Sequence, residues 1–221
     1  MANVCVITGG GSGMGLEAAK YMPKDKIIVI SGRTLSKLEG AVAELKALGY
    51  EAYAKACDTS RRESVQELAE YAASLGEIKN VINSAGVSPA MDGTPEGILR
   101  INALGTVYVN QEFSKRMQAG SVIVDVASNS AYVLPSFIIN KKIYPLAETD
   151  ESAFLKKLVK KSFNAGTLIF FIRHFCSCKI SKCLRLASII VRRIFLCKNI
   201  CKSSSVHSDK AVCRDCCKLS A

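Results

Sequence analysis

Hydrophobic and polar positions change period in a regular way along the first 127 residues. Val4-Cys5-Val6-Ile7 and the near-continuous run Lys26 to Ser31 are short and apolar throughout, as parallel strands covered on both faces are. Between such runs the period turns helical. Leu35, Leu38, Ala41, Leu45 and Leu48 fall on one face of a helix predicted over Thr34 to Leu48, and Gly49 stops it. Ser60-Arg61-Arg62-Glu63 has the form of a capping box and predicts a helix to about Leu75. Thr94-Pro95-Glu96 offers an N-cap, a proline at the first helical position and an early acid, opening a long helix to about Gln118. A third strand candidate runs Glu51 to Cys57, a fourth ends at Asn83, and a fifth covers Gly120 to Ser128. This alternation predicts an α/β fold, a doubly wound parallel sheet with right-handed crossovers.

The first strand leads into Thr8-Gly9-Gly10-Gly11-Ser12-Gly13-Met14-Gly15 and then Leu16-Glu17-Ala18-Ala19-Lys20. The order is strand, glycine turn, helix. Glycines permit a tight turn and a close approach of backbone to a bulky anion, and the helix N-terminus adds unpaired N–H groups and partial positive charge. A glycine turn that binds nothing is the plainer alternative. The flanking strand and helix favour a dinucleotide pyrophosphate.

Thr8-Gly9-x-x-x-Gly13-x-Gly15 resembles the turn of the short-chain dehydrogenase/reductase family, and later segments agree in order. Asp58 follows the third strand, where the family places an acid near the adenine. Asn83-Ser84-Ala85-Gly86 looks like its Asn-Asn-Ala-Gly, with Ser84 in place of the second Asn. Asn102 lies in the next helix, and Gly120 to Ser128 looks like the fifth strand ending in the catalytic Ser. The resemblance covers about the first 128 residues. It implies a Rossmann-type sheet of order 3-2-1-4-5 and an NAD(P)-dependent oxidoreductase acting on a small carbonyl or secondary alcohol. By the same resemblance Gly9, Ser12, Gly13, Met14 and Gly15 cradle the phosphates, Asp58 meets the adenine, and Asn83, Ala85 and Gly86 flank the adenosine and nicotinamide. Ser128 would contact the substrate oxygen, with Ser130 as the fallback, and Asn102 would support a catalytic Lys. Without the family, Ser128 reads as a turn former and Asn102 as a satisfied helix polar residue. Gly32 stands where NAD-preferring members carry an Asp. With no carboxylate there to repel a 2′-phosphate and Arg33 beside it, NADP is favoured over NAD. Alternatively, Arg33 only begins a solvated helix end.

One part of the family's chemistry is missing. Its acid–base pair, Tyr-x-x-x-Lys, uses the Lys to lower the phenol's pKa from one helical turn away. None of the seven tyrosines has a Lys four residues on. Tyr144-Pro145-Leu146-Ala147-Glu148 is the nearest candidate, and its Glu would disfavour a phenolate. Ser128 and Asn102 are therefore catalytic candidates without partners. An enzyme by descent that no longer turns over is expected, with a non-catalytic nucleotide-binding remnant as the alternative.

Composition breaks near residue 165. Of the 30 basic residues, eleven lie beyond it, with only two of the 19 acids, so the net charge of +11 is concentrated there. Eight of the 10 cysteines lie there too. This divides the chain into a nucleotide-binding domain, 1–165, and a basic Cys-rich tail, 166–221. Strands six and seven are not recognisable in the tail, so one sheet edge is expected to lose its cover, with poor solubility and lost oligomer helices. A frame shift or gene truncation would produce all these changes together. The rival is a zinc- or nucleic-acid-binding module built on Cys197, Cys201, Cys213, Cys216 and Cys217 with His174 and His207. Their spacing matches no recognised motif, so no metal site is assigned and a nucleic-acid partner is disfavoured. An amphipathic helix is predicted over Asp150 to Lys161. The N-terminus has no basic region ahead of an apolar one, and Leu186 to Leu196 is cut by Arg192-Arg193, short of the roughly 20 residues of a membrane span. With Cys5 and Cys57 on buried strands, a reduced cytoplasmic protein is expected.

Overall fold

The computed structural model describes residues 1–87, 94–128, 141–163 and 190–196. The apolar runs form parallel strands: β1 (Asn3–Thr8), β2 (Lys26–Gly32), β3 (Ala52–Ala56), β4 (Glu77–Asn83), β5 (Val122–Ser128) and β6 (Ile190–Leu196). They form one sheet in the order β3-β2-β1-β4-β5-β6. Strand period two sorts the core into two layers. Val4, Val6, Ile27 and Val29 face the helices α3 (Arg62–Leu75), α5 (Gly105–Ser114) and α7 (Glu151–Phe163). Cys5, Ile7, Ile28 and Ile30 face the opposite way, onto α1 (Gly13–Lys20) and α2 (Leu35–Ala47). The continuous apolar strands are thus explained, since both faces are covered. Strand order reverses between β1 and β4, which opens a crevice at their carboxyl ends.

Three local expectations are corrected. Ser60 does not cap α3. Its N–H and hydroxyl both donate to Asp58 Oδ1, at 2.9 and 2.7 Å, and Arg61 takes the N-cap position instead. An Asp two residues earlier outcompetes the capping box because its carboxylate closes a turn on the Ser. Thr94 does cap as expected, accepting from Gly97 N at 3.1 Å. The helix it opens is not a single α-helix, however. It runs as α4 (Pro95–Leu99), a π-helical turn over Arg100–Leu104, and α5.

The third correction concerns the tail. β6 pairs with β5 in parallel register from Val122↔Ile190 to Ser128↔Leu196, so the β5 edge is covered after all. Arg192-Arg193 interrupts an apolar run, but strand pairing is made by backbone groups and the flanking Ile, Val and Phe favour it. The seven tail residues of β6 join the sheet of the first 165. The tail cysteines and His174 and His207 lie outside the described residues. Among the described residues, no helix is long and apolar enough to cross a membrane.

After the fifth strand, residues 141–163 form a 3-10 turn (Lys141–Ile143), α6 (Leu146–Thr149) and α7. Asp150 Oδ1 accepts from Ala153 N at 2.9 Å and secures the first turn of α7. Phe154, Leu155 and Leu158 turn inward to the core.

Cys5 and Cys57 are buried thiols, and burial pushes them up to about 12 and about 11 from an ordinary 9.0. At pH 8 both should resist iodoacetamide in the native protein and react in urea, read by peptide mass spectrometry. Ionisation above pH 9 is open first to the unfolded chain, so stability should fall as pH rises from 9 towards 12.

Candidate active site

The crevice is built on a backbone contact. Gly9 (φ +67°) and Gly13 (φ +57°) hold left-handed conformations that L side chains rarely adopt. A Cβ on Gly9 would lie 2.9 Å from Ala85 N, and one on Gly15 would lie 2.4 Å from Gly9 O and 2.7 Å from Ser84 Oγ. The turn after β1 is therefore laid directly on the backbone leaving β4. Gly13 differs: a Cβ there would meet nothing within 4 Å, so its surroundings are open. Ser12 is the N-cap of α1, yet its side chain makes no capping hydrogen bond and no acid lies in the first turn. The first N–H groups of α1 and the positive end of its dipole face open space, with Met14 exposed beside them. That arrangement suits a phosphate.

Hydrogen bonds tie this turn to the neighbouring strands. The Thr8 hydroxyl donates to Asn83 Oδ1 at 2.7 Å and accepts from Ala85 N at 3.1 Å. Ser84 Oγ donates to the Thr8 carbonyl at 3.0 Å. A serine is small enough to do this against Gly15, which accounts for its place in the Asn-Ser-Ala-Gly stretch. Asn83 Nδ2 donates to Asp125 Oδ1 at 2.9 Å, and Asn110 Nδ2 donates to both Asp125 oxygens at 3.2 and 3.1 Å. Thr8, Asn110 and Asp125 are fully buried. Sequence reading missed Thr8, Asn110 and Asp125 as site residues. A lone Asp in an otherwise apolar strand was the available signal, because a buried carboxylate requires partners.

Arg33 follows β2 and is exposed, with no hydrogen bond or ion pair among the described residues. Asp58 follows β3 at the same end of the sheet, where Cys57 N donates to Gly32 O at 2.9 Å. One Asp58 oxygen is engaged by Ser60, and its backbone N–H donates to Ser64 Oγ at 3.0 Å. Gly86 is exposed at the end of the β4 turn, next to Asn102: a Cβ on Gly86 would lie 3.3 Å from Asn102 Oδ1.

Asn102 sits in the π-helical turn and is buried. Its Oδ1 accepts from Val87 N at 2.9 Å and its Nδ2 donates to Val87 O at 3.0 Å. The extra residue of the π turn aims the amide at this backbone, a use to which such turns are often put. Asn102 thus clamps the segment leaving β4. Ser128 ends β5, at the carboxyl edge of the sheet. Ser130 lies outside the described residues. Tyr144 is only 5% exposed, packed in the core with Ile143, Ala147 and Phe154, and Pro145 starts α6 directly behind it.

The short chain dehydrogenase family profile matches residues 3–139. The chain belongs to that family. It is 30% identical over 155 residues to "Short-chain dehydrogenase/reductase bsc3" of Alternaria brassicicola, covering 70% of this chain and 56% of the relative. It is 29% identical over 171 residues to "Carbonyl reductase family member 4" of Xenopus laevis, covering 73% and 70%. A solved NAD+-bound xylitol dehydrogenase aligns with a TM-score of 0.55 at 28% identity, covering 61% of this chain and 56% of that one. The chain therefore spans little more than half the length of several proteins it matches.

Replacing Asn102 with Ala should leave the Val87 N–H and C=O unpaired. The expected loss is about 2–4 kcal/mol of unfolding free energy, read by urea denaturation.

Proposed function

We propose that this chain binds NADP in the crevice at the carboxyl ends of β1, β2, β3 and β4. The observation that carries the reading is the open, uncapped start of α1 beside Gly13, set against a turn packed too tightly for side chains. Gly9, Ser12, Gly13, Met14 and Gly15 hold the pyrophosphate. Asp58 takes the adenine side, while Asn83, Ala85 and Gly86 line the path toward the nicotinamide. Arg33, exposed and without a partner among the described residues, takes the 2′-phosphate, and no carboxylate at Gly32 opposes it.

The family reading makes the ancestor an oxidoreductase of small carbonyls or secondary alcohols. A bound nicotinamide would supply or accept the hydride at the substrate carbon. The substrate oxygen then needs a proton partner, and general acid–base catalysis of that kind contributes about 10²–10⁴-fold. Ser128 alone can hydrogen-bond that oxygen but has no Tyr-Lys pair to draw on. Burial of Tyr144 in the core supports this view, as does the Glu where its Lys would stand. As written, the 221-residue chain binds nucleotide and does not turn over.

Calorimetric titration of the full chain should show NADPH binding more tightly than NADH. Arg33→Ala should weaken NADPH about tenfold, on the scale of a charge-assisted contact, and leave NADH unchanged. Equal affinities in the unaltered protein would overturn the cofactor choice, and binding of neither would overturn the nucleotide reading.

Across a panel of ketones and secondary alcohols, the rate should not exceed that of a Ser128→Ala control. A rate well above that control would sink the inactivity claim.

A further inference from the structure

Asp125 has no counterpart among the residues that the family resemblance assigns to the cofactor. It lies mid-strand in β5, fully buried and far along the chain from the glycine turn and the open start of α1. Its hydrogen bonds nevertheless lead there. In each hydrogen bond described for its carboxyl oxygens they accept, and the amides beside it present their NH2 groups. Asn83 does so, donating from Nδ2 at 2.9 Å. With its nitrogen committed, Asn83 turns its oxygen to Thr8 and accepts the hydroxyl proton at 2.7 Å. Thr8 has one hydroxyl proton. Once that proton is spent on Asn83, the Thr8 oxygen is left as an acceptor, and Ala85 N–H fills it at 3.1 Å. Ala85 N is the atom against which Gly9 is pressed.

Asn110 shows how firmly the carboxylate dictates this polarity. Its Nδ2 donates to both Asp125 oxygens and to Thr106 O at 2.8 Å, while its own Oδ1 is buried with no hydrogen-bond partner. In the reverse orientation that oxygen would face the Asp125 carboxylate, acceptor against acceptor, and the donors would be lost. Two amides, one on β4 and one on α5, are therefore oriented by a single side chain on β5.

We propose that Asp125 is a positioning residue for nucleotide binding, setting the donor–acceptor direction of the chain Asp125–Asn83–Thr8–Ala85 that fixes the glycine turn against the end of β4. Its effect on affinity rests on the nucleotide reading above. Its effect on the turn does not.

The test uses the full chain, NADPH as the probe, and hydrogen exchange at the Ala85 amide as a readout independent of ligand. Asp125→Asn keeps the shape but offers both a donor and an acceptor, so Asn83 is no longer held in one orientation. Exchange at Ala85 should accelerate, and NADPH affinity should fall about tenfold, the scale seen when a supporting hydrogen-bond partner is removed. The double swap Asn83→Asp with Asp125→Asn returns a pure acceptor to Thr8 and places the donor amide on β5. It should bring both readouts back to within about threefold of the unaltered protein. A merely structural role would not be rescued by exchanging the two groups. If Asp125→Asn does not fold but the swap does, the proposal stands, and if neither folds it fails. Unchanged Ala85 exchange in Asp125→Asn, or a swap no better than the single variant, also overturns it. If the unaltered chain binds no NADPH, the nucleotide reading fails by itself, and Ala85 exchange still decides the role of Asp125.

Discussion

The whole site depends on how closely two stretches of backbone approach each other. The turn after β1 rests on the turn after β4 with no room for a side chain at Gly9 or Gly15. That contact brings the start of α1 over the carboxyl ends of the central strands, where the reversal of strand order leaves room. A larger residue at Gly9 would press on the Ser84–Ala85 backbone, and one at Gly15 on Gly9 itself and Ser84, beside strands held by ladders on both sides. The glycines are thus a demand of packing as much as of turn geometry, and Gly13 is the exception, required by its backbone angle alone.

How much of this could be read from the chain differs from element to element. β1 and β2 announce themselves because a strand buried on both faces needs an unbroken apolar run, and few other structures do. α2 was equally plain, its five apolar positions falling at helical spacing. The capping box at Ser60 misled because side-chain competition is local and nearly balanced: Asp58, two residues away, offers the Ser a better partner than the helix does. The π turn at Asn102 leaves no trace in a hydrophobic pattern, since one extra residue shifts the period by less than the pattern resolves. β6 was hidden for another reason. Strand pairing is a property of two segments, and its partner lies 68 residues earlier in register with Ile190.

The candidate site was legible where backbone geometry dictates residue type, at the glycines, and less so where side chains cooperate. Thr8, Asn83, Asp125 and Asn110 stand far apart in the chain and no short spacing links them. Asn102 is instructive in another way. Apart from the supporting role that the family resemblance implies, it carries two hydrogen bonds to Val87. An amide with a structural duty of this kind is held in place by the fold whatever its neighbours do.

The pairing of β6 with β5 has a consequence in time. Val122 and its partner Ile190 are separated by a long stretch of chain, so during synthesis β5 emerges well before the strand that completes its edge. At about 5–20 residues per second, the wait is roughly 3–14 s, far longer than the microseconds to milliseconds in which local helices and hairpins form. β1 to β4 can assemble within that interval, with β5 docked on them and its outer backbone groups unpaired. The nascent protein therefore passes through a sticky stage whose length is set by translation, and slower decoding after residue 128 would prolong it.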